Sequence, residues 1–328
     1  MSKNVIIIGG GIVGCLSALE FKKKGFDVTI IEKSKIGQES SSAAAGILYP
    51  LMPWKYDDTV YEFSLGASKF YSELSKKFLK DFGRDIEFIT SGLKLLPPYN
   101  EHEVQEWSKK NKTNILKNNN SILIPGVSQL NPKELMLSIK DYLNYMKIKI
   151  YENLSVLKMD INNNIINAVY TDDHKKHISD VFVLSAGAWS SIINKKLIRK
   201  IKPIRGQIIQ YSGKNLKLNN ILYSDGMYIF QRKNSSIIVG STLEDVGFSD
   251  QNLDEKIDEL DTKAKEILDD LKKCSIEKTW YGFRPGVENN LPIISKDEKY
   301  ENMFIHSGHY RYGITMAPAT TKILMSYF

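Results

Sequence analysis

Residues 5–14 read Val5-Ile6-Ile7-Ile8-Gly9-Gly10-Gly11-Ile12-Val13-Gly14, a β-branched run that passes straight into G-x-G-x-x-G. Four consecutive apolar residues of this kind predict a short strand buried on both faces. Leu16, Leu19 and Phe21 follow in a helix-compatible stretch that closes on Lys22-Lys23-Lys24-Gly25, with cations in the last turn and a glycine to end it. Val28-Thr29-Ile30-Ile31 predicts a second buried strand, and Glu32 terminates it. A glycine pattern alone is a weak signal. In register with strand, helix and acid it becomes a dinucleotide fingerprint. One glycine makes a tight turn, one lets backbone approach a pyrophosphate, and one lets helix and strand pack closely. The helix N-terminus adds N–H donors and a positive dipole. Glu32 is placed to bond a ribose hydroxyl pair and to repel a 2′-phosphate. The segment predicts an adenine-dinucleotide site.

Lys3, the uncharged residues after it and Cys15 superficially match a lipoprotein signal. Three glycines break its apolar helix, and cleavage before Cys15 would delete the first strand. No other stretch approaches the length of a membrane span. The 328 residues suffice for two domains, or for one with a large insertion, and the composition is that of a globular chain. Cys15 and Cys274 form no C-x-x-C pattern, which fits a reducing cytoplasm. The net charge of +7 comes from lysines dispersed among asparagines and isoleucines, as at Asn111, Lys112, Asn114, Lys117 and Asn118. That reads as compositional bias, with no stripe for nucleic acid.

Beyond Glu32, small residues from Ser40 to Gly46 can lie close against a ligand. Tyr49-Pro50-Leu51-Met52-Pro53-Trp54 forces an extended or turning path. Residues 57–82 read as one amphipathic helix carrying Phe63, Phe70, Tyr71, Leu74 and Phe78. Strands are expected over 86–89 and 93–96, and a polar helix over 101–110. Asn131 and Pro132 open another helix to about Tyr145, as N-cap and first helical residue. Further strands are expected at 148–151, 154–159, 165–170 and 181–184, the last returning to the nucleotide-binding sheet. Residues 206–211, 227–230 and 237–240 predict antiparallel strands of a separate layer. A charged helix is expected from Asn252 to Leu271, then a strand at 303–306 and a closing helix at 314–325.

Several separated motifs resemble the D-amino-acid oxidase class of flavoproteins and, within it, the glycine oxidases of thiamine biosynthesis. They are Gly9 to Gly14 with Glu32, Ser41 to Gly46, the Pro50–Trp54 element and Ser185-Ala186-Gly187-Ala188-Trp189-Ser190. Pro203-Ile204-Arg205-Gly206-Gln207, Tyr228 with Arg232, and Val239-Gly240-Ser241-Thr242-Leu243-Glu244 follow. Trp280-Tyr281-Gly282-Phe283-Arg284-Pro285-Gly286 and Gly308-His309-Tyr310-Arg311-Tyr312-Gly313-Ile314, with Ala317-Pro318-Ala319, complete the set. Tyr312 stands where such proteins usually carry asparagine, and relatives continue past the position of Phe328. The resemblance implies an α/β fold: a Rossmann-type FAD-binding domain of the glutathione-reductase-like kind with an inserted α+β substrate domain. Residues 1–84, 146–200 and 281–328 would form the first, and 85–145 with 201–280 the second.

It also implies FAD, which the glycine fingerprint cannot distinguish from NAD because both share the ADP half. Gly9, Gly11, Ile12, Val13 and Gly14 would face the pyrophosphate, and Glu32 and Lys33 the adenosine. Ser41, Ser42, Ala45 and Gly46 would meet pyrophosphate and flavin, and Val156 the adenine edge. Gly187, Tyr310, Arg311, Tyr312, Gly313 and Ile314 would approach the flavin. Arg284 matches the class's carboxylate-binding arginine, read as part of a proline turn. A planar guanidinium suits a carboxylate. Tyr228 matches the tyrosine that supplements it, Arg311 a second pocket arginine, and Leu243 a pocket wall that favours a small substrate. His309 is read as structural and not as a base. The implied activity is oxidation of glycine to the imine and glyoxylate, with O₂ becoming hydrogen peroxide, supplying the thiazole branch of thiamine synthesis. Sarcosine or a small D-amino acid is the alternative substrate. An RNA-modification flavoprotein is the alternative of another class, and it would bring a fused methyltransferase and a concentrated basic surface. Neither metal, nucleic acid nor membrane is expected as a partner, and homo-oligomerisation stays open.

Overall fold

A computed structural model describes residues 3–118, 120–195, 200–213, 216–251 and 253–328. The strand Asn4–Ile8 lies at the centre of the nucleotide-binding sheet, parallel to Asp27–Ile31 on one side and Val181–Leu184 on the other. Its four apolar residues are almost wholly buried, as the β-branched run demands. Lys149–Tyr151 extends the sheet beyond Asp27–Ile31. Met303–Ser307 extends it beyond Val181–Leu184, and Ile293–Lys296 closes that edge antiparallel. The return of 181–184 to the first strand thus occurs as the sequence implies.

Both faces of this sheet are covered, for the same reason that its strands are apolar throughout. On one face, Leu16, Leu19 and Phe21 of helix Ile12–Lys23 pack with residues of three other helices. These are Tyr71 and Phe78 of Ala67–Phe82, Leu135 and Ile139 of Pro132–Tyr145, and Leu324 of Gly313–Met325. On the other face, Ile6, Ile31, Phe182 and Leu184 pack against Ile166 and Val169. Those two belong to an antiparallel sheet of Val156–Asn162, Ile165–Thr171 and Lys176–His177. Asn131 caps its helix by accepting the Lys133 N–H at 3.1 Å, with Pro132 in the first turn.

The second large sheet runs, among the described residues, in the order Ile276–Gly286, Lys202–Tyr211, Ile237–Gly240, Met227–Gln231, Ile221–Ser224, Leu93–Leu95, Ser121–Ile124 and Leu116–Asn118. Its period-two alternation sorts side chains between two cores. Ile209, Met227, Ile229 and Val239 face helix Leu253–Ile267, meeting Leu260 and Ala264. Ile208, Tyr228, Phe230 and Ile238 face the opposite way, towards Ile47 and Leu51. Alternation therefore turns Tyr228 towards the cleft between the two large sheets.

Several expectations are corrected. The single helix over 57–82 is two, Asp58–Ser64 and Ala67–Phe82, because Leu65 is extended and Gly66 adopts φ 78°. Asp57 caps the first by accepting the Thr59 N–H at 2.9 Å. A glycine at positive φ stops a helix even where the apolar spacing runs through it. Arg284 lies in a strand and not in a turn: Ile276–Gly286 pairs along its length with Lys202–Tyr211, and Pro285 stands opposite Pro203. The strand over 86–89 contracts to Ile89–Thr90. Asn252, the expected start of a helix, lies outside the described residues; the helix Leu253–Ile267 is followed by a 3₁₀ turn, Asp269–Lys273.

Gly14 is where helix and glycine loop touch. A Cβ there would lie 2.0 Å from the Gly9 carbonyl oxygen. Gly14→Ala should force the helix off the loop at a cost of about 1–3 kcal/mol, the scale of overpacking a filled core. The check is thermal unfolding followed by circular dichroism. An unshifted midpoint would overturn the close contact.

Candidate active site

The carboxyl ends of the strands Asn4–Ile8, Asp27–Ile31, Val181–Leu184 and Met303–Ser307, where open α/β sheets bind ligands, reach one cleft. It encloses about 1940 Å³ including its open mouths, and Ile8, Ile31, Glu32, Ser185 and Ser307 line it. At one end Glu32 is buried, its Oε2 accepting the Gly10 N–H at 2.6 Å and its Oε1 the Ser34 N–H at 2.9 Å. Burial raises its pKa above the usual carboxylate range, and the two backbone donors work against that shift. A carboxylate has about four acceptor positions, so both oxygens retain capacity for further donors. Gly9, at φ 109°, takes a turn that a Cβ would block, since it would sit 2.5 Å from the Ser185 carbonyl oxygen. The Ser41 hydroxyl accepts the Ile12 N–H at 2.9 Å, so this residue caps the first helix from outside it. Lys33 pairs with Glu39 and stands 3.8 Å above the Trp189 ring.

Gly9, Gly11, Ile12, Val13, Glu32, Lys33, Ser41, Ala45, Gly46, Val156 and Gly187 all line this cleft, as do Tyr310, Arg311, Tyr312, Gly313 and Ile314. Two expected residues do not. Gly14 is turned against Gly9, so its role is packing. Ser42 is held by its N–H bond to the Gly37 carbonyl and is absent from the lining. Beneath the glycine loop, Cys15 is fully buried with its Sγ 3.3 Å from the Gly10 carbonyl oxygen, and burial pushes its thiol pKa up.

At the other end the strand Met227–Gln231 delivers Tyr228 and the strand Ile276–Gly286 delivers Arg284. The Arg284 guanidinium donates from Nη2 to the Ser241 hydroxyl at 2.7 Å, and from Nη1 to the Thr242 carbonyl at 3.2 Å and the Arg205 carbonyl at 3.4 Å. Among the described residues no carboxylate pairs with Arg284 or Arg311. Burial lowers the Arg284 pKa, as does the neighbouring Arg311 cation. Two glycines clear the space: a Cβ at Gly206 would lie 2.0 Å from Arg284 Nη1, and one at Gly240 would lie 2.4 Å from Tyr228 Oη. The available acid is spent elsewhere, since Glu244 pairs with buried Arg205. A cation held by carbonyls, with its fork unfilled by an acid, is a receptor for an anion.

His309 places Nε2 2.9 Å from the Thr320 hydroxyl, and burial drives its pKa down to about 3. It is a neutral structural contact to the closing helix, as expected. Leu243 corrects another expectation: it is 57% exposed and absent from the cleft wall. Leu51, Tyr49 and Ile208 line the cleft instead. They were hidden because a wall assembled from two distant segments has no local pattern. Ser241 was visible in its motif, but its bond to Arg284 was not.

The cleft suits FAD on its own geometry. It is continuous from Glu32 to Arg284, passes the N-termini of two helices of 12 and 13 residues, and has glycines where a Cβ would intrude. Its lining carboxylates are Glu32 and Glu39, and Glu39 is neutralised by Lys33. No cluster of metal-ligating residues and no helix long and apolar enough to cross a membrane occurs among the described residues.

The sequence profile of the DAO family, FAD dependent oxidoreductases, matches residues 4–326, and the chain belongs to that family. It is therefore an FAD-dependent oxidoreductase. It is 29% identical to a glycine oxidase of Pseudomonas aeruginosa, an alignment covering 99% of this chain and 94% of that protein. It is 27% identical to a bifunctional ThiO/ThiG protein of a Nostoc species, covering 99% of this chain and 52% of that protein. The crystal structure of glycine oxidase from Bacillus cereus superposes with a TM-score of 0.89 at 22% identity, covering 99% and 94% of the two chains.

Glu32→Gln keeps one acceptor oxygen but removes the charge that both backbone donors and a ribose would meet. Loss of a charged hydrogen bond costs about 1.5–3 kcal/mol, so the FAD dissociation constant should rise roughly tenfold or more. Fluorescence titration of the apoprotein with FAD measures it. An unchanged constant would place the ribose elsewhere.

Proposed function

We propose that this protein oxidises glycine in the cytoplasm: glycine, O₂ and water become glyoxylate, ammonia and hydrogen peroxide, with the imine as the first product and a supply for thiazole formation. The observation that carries the reading is Arg284, an anchored guanidinium that stands beside buried Tyr228 and has no acidic partner among the described residues. Relatives named glycine oxidase, and the relative that joins ThiO to ThiG, support the substrate and the thiazole destination.

Bound FAD supplies the acceptor for the two electrons and the hydrogen that leave Cα. The protein's share is placement. Arg284 receives the substrate carboxylate on two N–H groups, which fixes its plane as well as its position. The Tyr228 hydroxyl adds a donor to the same carboxylate, and burial keeps that phenol protonated by raising its pKa. Glu32 and Glu39 lie at the nucleotide end, so neither is placed to take the ammonium proton. His309 is bonded to Thr320, and its depressed basicity removes it as well. The amine thus enters in its neutral form, its proton lost to water, and no side chain is asked to act as base. Because Leu243 does not narrow the cleft, sarcosine and D-alanine belong in the same assay.

Arg284→Lys keeps the charge but loses the fork. It should lower kcat/KM for glycine about 10- to 150-fold with FAD retained. Part of the loss should fall on kcat, since a carboxylate held at one point lets Cα swing. Tyr228→Phe should be milder, because one neutral hydrogen bond is worth less than the ion pair it supports. Steady-state peroxide formation measures both. Wild-type kcat/KM in Arg284→Lys would mean that the carboxylate is held elsewhere, with Arg311 the next candidate.

A further inference from the structure

Tyr312 stands between Arg311 and the closing helix, and its ring is buried with Val60 and Met316. Its hydroxyl donates to Tyr56 Oη at 2.8 Å and also lies 3.4 Å from the Leu51 carbonyl oxygen. The two rings meet edge to face, centroids 5.4 Å apart. The segment 51–56 is held on its far side too. Trp54 lies against Trp107 at 5.8 Å, and Lys55 pairs with Glu103 at 2.6 Å, both partners belonging to helix Glu101–Lys110. Leu51 lines the cleft wall. The segment is therefore a strap from helix Glu101–Lys110 to the start of helix Gly313–Met325, and it passes the end of the cleft where Arg284 and Arg311 stand. An asparagine at 312 would lack the ring that makes both contacts with the strap.

Resting on the reading of that end as the substrate pocket, we propose that the Tyr312–Tyr56 pair is a positioning latch. It holds the strap across the pocket, fixes the turn that carries Arg311, and restricts the pocket to the smallest amino acids. Arg311 itself is buried among the phenols of Tyr312, Tyr56, Tyr223 and Tyr310. Tyr312 acts here through the strap and through Arg311, not on the substrate.

The test compares Tyr312→Phe, Tyr56→Phe and the double variant as FAD-loaded proteins; each change removes one oxygen and keeps the ring. A lost neutral hydrogen bond should raise KM for glycine about 3- to 10-fold, more than kcat falls, and reduce the preference for glycine over D-alanine by a similar factor. Hydrogen exchange at the Lys55 and Tyr56 amides should quicken to match, and the double variant should be no worse than either single one. Unchanged KM and exchange in either single variant, or effects that add in the double, would overturn the latch. If the wild type turns over neither glycine nor D-alanine, the glycine reading fails, and amide exchange still decides the latch.

Discussion

The Arg284 end of the cleft depends on the buried ion pair between Arg205 and Glu244. Arg205 is 1% exposed, and its Nε and Nη2 both reach Glu244 Oε2. Its Nη1 donates to the Ser249 and Gln251 carbonyls, while Glu244 Oε1 accepts from Gln207 and Thr242. Backbone bonds between the same two residues, at 2.9 and 3.0 Å, stitch the loop after Gly240 onto the strand Lys202–Tyr211. Burial works against the Glu244 carboxylate, but Arg205, Thr242 and Gln207 hold its pKa below the usual value. Removing either partner would strand a buried charge at a cost of about 3–5 kcal/mol. The pair also occupies the Glu244 carboxylate, and it presents the Arg205 and Thr242 carbonyls that hold Arg284 in place.

Charge is therefore graded along the cleft. A buried glutamate marks the nucleotide end, helix N-termini and glycines fill the middle, and two arginines without acid partners among the described residues mark the far end. An adenosine offers hydroxyl donors and an amino acid offers a carboxylate, so the two ends are complementary to different chemistries. Between them His306 and His309 are buried and neutral, both with pKa values pushed down by burial. They contribute shape and hydrogen bonds to Ser17 and Thr320 without adding charge where electrons are to move.

The nucleotide half was legible because its signals are local. Strand, glycine loop, helix and Glu32 follow one another within 5–32, and the structure keeps them in that order. The strands Val181–Leu184 and Ile237–Gly240 were read to the residue because burial on both faces leaves an unbroken apolar run. The substrate half was less legible. Ser121–Ile124 passed unnoticed in an asparagine-rich stretch, since a four-residue strand there is decided by its partner Leu93–Leu95. Arg284 was read as a turn residue because Phe-Arg-Pro-Gly has turn composition; the tertiary pairing with Lys202–Tyr211 overrides it. Leu243 was misplaced because its role was carried over from the family motif, and here the chain leaves the sheet after Gly240 and leaves that side chain exposed.

Cys15 gives the protein a durability that its chemistry requires. The proposed reaction releases peroxide into the cleft, and peroxide attacks thiolates far faster than thiols. The Cys15 Sγ is enclosed under the glycine loop, directed at the Gly10 carbonyl, and held as the thiol by burial and by the neighbouring Glu32 charge. The acid that marks the nucleotide end thus also shields the sulfur beside it from ionising. Burial is the larger part of that protection, and the carboxylate that orders the loop adds to it.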